Sequence, residues 1–149
     1  MIVINNQEEM KPYYNKETNT YIFSENNRLI DIKIDFDLNI KCNIEARNIE
    51  SWDIKSGDIN AWDINACNID SGDIKSCNIK SGDIKAWDIN ARNIKAGDIK
   101  AVNIKSNNID FNAVCFAYES FVCNTIIGRR ENSKYFCLDS EVVIKSKNS

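Results

Sequence analysis

The chain is predicted to fold as an all-β, four-sided β-helix solenoid with a cap at each end, and three observations in the sequence lead there. An isoleucine occupies every fifth position from Ile44 to Ile109, fourteen times without a slip. Each five-residue step reads as a variable residue, then Asp or Asn, then Ile, then a polar residue, then Ala or Ser, with Phe111 the one departure at the last place. Ahead of the array, Leu29 to Leu38 alternates apolar with charged residues, the pattern of a strand feeding into it.

A period of five matches neither a helix nor a plain alternation, so each step must hold a short extended piece and a bend. In the extended piece residues two apart share a side, which turns Ile and the following Ala or Ser inward and the polar residue between them outward. The Asp or Asn before Ile suits a bend, because its side chain bonds nearby backbone. Four bends close a square, giving a coil of about twenty residues that rises ~4.8 Å. Residues twenty apart then stack. Ile44, Ile64, Ile84 and Ile104 form one interior column, and the inward serines, among them Ser51, Ser71 and Ser76, need partners such as carbonyls of the adjacent coil.

Residues 1–41 are expected to form the N-terminal cap. Asn5 or Asn6 caps a short helix through Gln7–Lys11 that stops near Pro12. Tyr13 to Phe23 reads as a hairpin around a polar turn, and Leu29 to Leu38 is the entry strand. An array needs its ends covered, since unpaired strand edges invite further pairing. Residues 42–111 are the array, and 112–149 the C-terminal cap. There Phe111, Phe116, Phe121 and Ile126 keep the spacing with larger side chains and suggest a hydrophobic plug, while 128–134 reads as a turn joining two strands of a hairpin.

The array resembles the pentapeptide-repeat family, which has a small residue, Asp or Asn, a large apolar residue and two variable ones. The resemblance covers residues 42–111 and implies a right-handed, four-sided β-helix. In that family the small inward residue precedes the large one by two. Here that place holds Trp52, Trp62, Trp87, Arg47 and Arg92, and the small residue follows Ile instead. The C-terminal stretch GRRENSKYFCLD resembles uncharacterised repeat proteins encoded by prophages of Firmicutes, which implies a cytoplasmic or phage-associated setting.

Composition narrows the function. One domain fits 149 residues, and a net charge of -3 gives nucleic acid and anionic membrane no general attraction, so direct nucleic-acid binding is not expected. No apolar run is long enough to span a bilayer, and no signal peptide is expected. Cys42, Cys67, Cys77, Cys115, Cys123 and Cys137 show no paired spacing, so reduced thiols in a cytoplasmic protein are expected in place of a disulfide framework or a zinc site. With no histidine and five glycines there is no usual general base and no phosphate-cradling loop. The chain is therefore expected to be no enzyme and to hold no cofactor, metal or small-molecule substrate.

What remains is a surface. The candidate interaction residues are Trp52, Trp62 and Trp87, the lysines Lys55, Lys75 and Lys95 that stack at a twenty-residue spacing, and Arg129 with Arg130 in the C-terminal turn. At that spacing Trp62 lies over Gly82 and Trp52 over Gly72, which makes them either packing elements or a docking stripe, and one side leans basic while another leans acidic. The expected function is a binding or scaffold module that meets another protein or a second copy of itself. The alternative, implied by the resemblance, is mimicry of duplex DNA against DNA gyrase or a topoisomerase. Mimicry needs a strongly acidic face, and the array has eleven acids against nine bases. One regularity stands without explanation at this level: the residue before Ile is Asp after Trp or Gly, and Asn after Cys, Arg, Val or Asn.

Overall fold

A computed structural model describes residues 1–145, with Cys67 described for its backbone alone. The chain winds as a parallel β-solenoid, as the repeat predicts, and the four-sided cross-section is corrected to three sides. Ile59 pairs with Ile74 and Ile64 with Ile79; Ile74 pairs in turn with Ile89 and Ile79 with Ile94. One coil is thus fifteen residues, three steps and not four. Three columns result, buried throughout the array. The first face runs Tyr21, Ile44, Ile59, Ile74, Ile89, Ile104, Phe121, Val142. The second runs Ile2, Ile32, Ile49, Ile64, Ile79, Ile94, Ile109, Ile126. The third runs Leu38, Ile54, Ile69, Ile84, Ile99, Cys115, Tyr135.

Packing explains the triangle. Five extended residues span about 16 Å. A square with that side leaves its centre about 8 Å from each wall, whereas a triangle leaves about 5 Å, half the ~10 Å at which sheets pack face to face. Three isoleucines and three small residues per coil close the triangular bore, and a square bore would stay hollow. All fourteen array isoleucines are buried, as are Ala46, Ala61, Ala91 and Ala101. The inward assignment of Ile with Ala or Ser therefore holds. The serines divide: Ser76 donates to the Trp62 carbonyl at 2.8 Å and Ser106 to that of Arg92 at 3.3 Å, each on the coil before, while the buried hydroxyls of Ser51 and Ser71 have no partner.

At the N-terminus Asn6 accepts from the Glu9 amide and caps a 3-10 helix, Gln7–Tyr13, with Pro12 inside its last turn. Tyr14–Asn15 and Thr20–Ile22 form the expected antiparallel pair. A second, unforeseen hairpin joins Ser24–Glu25 to Arg28–Leu29 through Asn26 and Asn27, both at positive φ, the two-residue turn whose twist suits a hairpin. The single entry strand is corrected. Ile32–Ile34 joins the second face and Leu38–Asn39 the third, with a corner between them. Alternation misled because Asp31-Ile32-Lys33-Ile34 and Asp37-Leu38-Asn39-Ile40 are themselves steps of the repeat, with a large residue in the small place. The winding thus begins before Cys42. Met10 and Phe23 are buried beneath it, and Tyr13 packs on Phe23 with ring centroids 4.9 Å apart.

The C-terminal hairpin is also corrected. Thr125–Gly128 and Lys134–Cys137 do not pair with each other; each lies parallel on the coil before it, against Ile99–Phe111 and Val114–Cys123. Gly128 to Ser133 does turn, but a turn signal marks a bend without saying which strand comes next. Val142–Ile144 then lies on Val114–Cys123, and residues 146–149 of the expected cap fall outside the described residues. Of the four-residue plug, Phe111 and Phe121 are fully buried. Phe116 points out, because Ile99 pairs with Cys115 at a spacing of sixteen and the extra residue moves Phe116 into line with Lys100.

Candidate interaction surfaces

Each face carries two outward rows, one before and one after its isoleucines. The row before Ile is tied coil to coil by side-chain hydrogen bonds, and these supply a reason for part of the Asp/Asn regularity. On the second face Asn78 donates its amide to Asp63, Asn93 to Asn78 and Asn108 to Asn93, each at 2.7 Å, and the Thr125 hydroxyl ends the row on Asn108. Asn68 and Asn103 do the same onto Asp53 and Asp88. A carboxylate only accepts, so an Asp needs another donor to bind the residue below. Asp58, Asp73, Asp83 and Asp98 use their backbone N–H, given to Oδ1 of Asn43, Asp58, Asn68 and Asp83.

All four follow a glycine. A Cβ on Gly57 would lie 2.4 Å from the accepting Asn43 oxygen, one on Gly72 2.4 Å from that of Asp58, and one on Gly97 2.8 Å from that of Asp83. The oxygen occupies the space a side chain would need. Asp88 in the same row follows Trp87 and not glycine, so this crowding does not account for the Trp–Asp pairing.

The row after Ile holds the lysines. Asp53, Asp83 and Asp98 stand across the third face from Lys55, Lys85 and Lys100, and the two rows rim a trough of about 730 Å³ floored by the Ile54, Ile69, Ile84 and Ile99 backbone. A smaller trough of about 400 Å³ follows the second face. On the first face Asp58, Asp73 and Asp88 stack directly, and Asp73 is held above the ordinary carboxylate range by desolvation first and by Asp88 and Asp58 second. Acids and lysines thus occur together on every face, set mainly in opposite rows on the third and first and mixed in the row after Ile on the second, which corrects the expected division between one side and another.

The fifteen-residue coil also disperses the expected stripe. Trp52, Trp62 and Trp87 stand at the corners before the third, second and first faces, on different coils, each 60–68% exposed. Trp87 lies over Gly72, giving its N–H to the Gly72 carbonyl at 3.1 Å, and Trp62 lies over Arg47, not over Gly82. Residues 62–86 and 87–111 are alike in sequence, each opening on Trp-Asp-Ile-Asn-Ala, and the spacing of twenty-five is not a whole number of coils, so the second copy puts its tryptophan on another corner. Lys55, Lys75 and Lys95 fall likewise on the third, first and second faces. Arg129 and Arg130 are both exposed, and Arg129 is tied to Asp110 through Nε and to Asn112 at 3.0 Å.

What the structure does bring together was not visible in the repeat. Where the third-face trough meets the C-terminal coil, Phe116 packs on Tyr118 at 4.5 Å and on Phe136 at 4.8 Å, and Lys100 sits 5.6 Å over the Tyr118 ring. Beyond it the last coil exposes Ile127 (61%), Leu138 (60%), Tyr135, Val143 and Ile144. The signal available in the sequence was the apolar residue at the outward place of the last steps, Phe116, Val122, Ile127, Phe136 and Val143, where the array has polar ones.

Cys42, Cys77, Cys115, Cys123 and Cys137 are free thiols, and burial pushes Cys115 and Cys123 up, away from the thiolate. Among the described residues no three His, Cys, Asp or Glu side chains converge as for a metal ion, and no helix is long and apolar enough to cross a membrane. The chain matches no family model, no curated protein and no solved structure.

Proposed function

We propose that the protein is a non-enzymatic binding and scaffold module, a rigid rod that meets a protein partner or a second copy of itself through its C-terminal end. The observation that carries this reading is the contrast between the two ends. A helix and a hairpin cover the first coils and bury Met10 and Phe23 against them, while the last coil presents Ile127, Leu138, Val143 and Ile144 to solvent with the edges of its strands unpaired among the described residues. Exposed apolar surface of this kind marks contact sites. Kinship with the pentapeptide-repeat proteins, including prophage-encoded members, is proposed from the unbroken five-residue repeat and the GRRENSKYFCLD stretch, with the three-sided coil its chief departure. Free thiols suit a reducing compartment, so we place the protein in the cytoplasm.

Mimicry of DNA against gyrase fits the surface less well, because every face sets lysines beside its acids. The test is affinity capture from the native host with the wild-type chain, with Ile127→Lys/Leu138→Lys, and with Trp62→Ala as a corner control. The reading expects specific partners, this chain included, to be lost with the first variant and kept with the second. Partners kept by both, or lost only with Trp62→Ala, would overturn it.

A further inference from the structure

Resting on that reading, we infer that the partner of the C-terminal end is a second copy of this chain, joined edge to edge about a two-fold axis so that the Val142–Ile144 strands of the two copies pair antiparallel. Lys145 gives its backbone N–H to the Cys123 carbonyl at 2.7 Å, so Lys145 and, by the alternation of a strand, Val143 turn their backbone groups toward the preceding coil. The N–H and C=O of Val142 and Ile144 then point out of the last coil. These are the groups that an antiparallel pair centred on Val143 joins, Val142 of one copy with Ile144 of the other.

The flanking residues fit the same axis. Glu141 and Lys145 stand two places either side of Val143, so an antiparallel copy sets each Glu141 against a Lys145, at both ends of the pairing. A strand flanked by one sign of charge would repel its own copy, and this is the usual way an edge is kept single. Here the two signs attract in the antiparallel direction. The cross-section agrees as well: a two-fold axis through the middle of one side of a triangle exchanges the other two sides. Thr125–Gly128 of one copy therefore lies along Lys134–Cys137 of the other, again antiparallel, and Ile127, Phe136 and Leu138 leave solvent together. The contact is isologous and closes as a dimer.

The experiment is light scattering on the full chain across a dilution series, with Glu141→Lys, Lys145→Glu and the exchanged double variant, each checked for an unchanged circular dichroism melt. The wild type is expected to be a dimer. Each single variant sets like charges together at both ends of the pairing and weakens the dimer about tenfold or more. The double variant restores the opposite-charge pairs and recovers wild-type association. A monomeric wild type overturns the inference and leaves the docking end to be judged by the capture experiment. A dimer unmoved by the single variants, or not recovered by the exchange, overturns the antiparallel pairing.

Discussion

Asp73 gives its backbone N–H to Oδ1 of Asp58 at 2.9 Å, and its own carboxylate stands in the same row between Asp58 and Asp88 on the coils to either side. A carboxylate in this row is thus an acceptor for the next coil and a negative charge between two others. The hydrogen bonds favour the row and the repulsion opposes it.

The opposition sets a pH dependence. The Asp73 carboxyl is raised, by desolvation first and by Asp88 and Asp58 after it, so between the unfolded and folded values the folded chain binds more protons than the unfolded chain. Its contribution to stability is fully present below the ordinary carboxylate value and is lost as pH rises through the folded one. Asp73→Asn keeps an accepting oxygen and removes the charge. It is expected to raise the denaturation midpoint at pH 7 and to give no gain at pH 3, as urea titrations at both values would read.

On the second face the donor matters. Asn93→Asp removes the amide N–H that reaches Asn78 at 2.7 Å and sets an anion against its oxygen, so it is expected to cost about 1–3 kcal/mol at pH 7, more than Asn93→Ala. Protonating the new carboxyl restores a donor. The deficit should shrink near pH 4, and a deficit that does not change with pH contradicts the assignment.

The glycines separate two kinds of crowding. Gly72→Ala meets the Asp58 side-chain oxygen at 2.4 Å, while Gly97→Ala meets the Gly82 carbonyl at 2.6 Å as well as Asp83. Each is expected to cost about 1–3 kcal/mol. Adding Asp58→Ala to the first should recover part of that loss, and adding Asp83→Ala to the second should not, because the carbonyl remains. A double-mutant cycle by thermal denaturation reads the difference.

Core and corner differ in the same way. Ile79→Ala opens a cavity at a level that no other side chain can fill, at about 2–5 kcal/mol, whereas Trp87→Ala at an exposed corner should stay within about 0.5 kcal/mol. Equal losses in chemical denaturation would mean that Trp87 packs against more than its exposure allows.

Much of this fold was legible because the repeat states which residues face in. Ile79 and Ala91 are buried for the reason their spacing gives. The number of sides was not legible, since the inward pattern is the same for three steps as for four. Only the width of the bore, set by how far an isoleucine reaches, decides between them. That one quantity moved every stacking assignment, so Trp52, Trp62 and Trp87 parted to three corners and the lysines to three faces. The ends misled in another way. Leu29 to Leu38 and the residues around Phe116 hold steps lengthened by one residue, and a single insertion moves a side chain from the bore to the surface. The aromatic contact of Phe116, Tyr118 and Phe136 depends on such an insertion, which spacing alone does not reveal.

The fifteen-residue coil is most directly tested by backbone nuclear Overhauser contacts between neighbouring strands of the isotope-labelled protein, with Asn60 as the reference residue on the first face. Cross-strand amide and Hα contacts from Asn60 to the neighbourhood of Lys75, repeated from Lys75 to Asn90, are the expected result. Contacts from Asn60 to the neighbourhood of Lys80, a spacing of twenty, would contradict the three-sided coil and every row of side chains built on it.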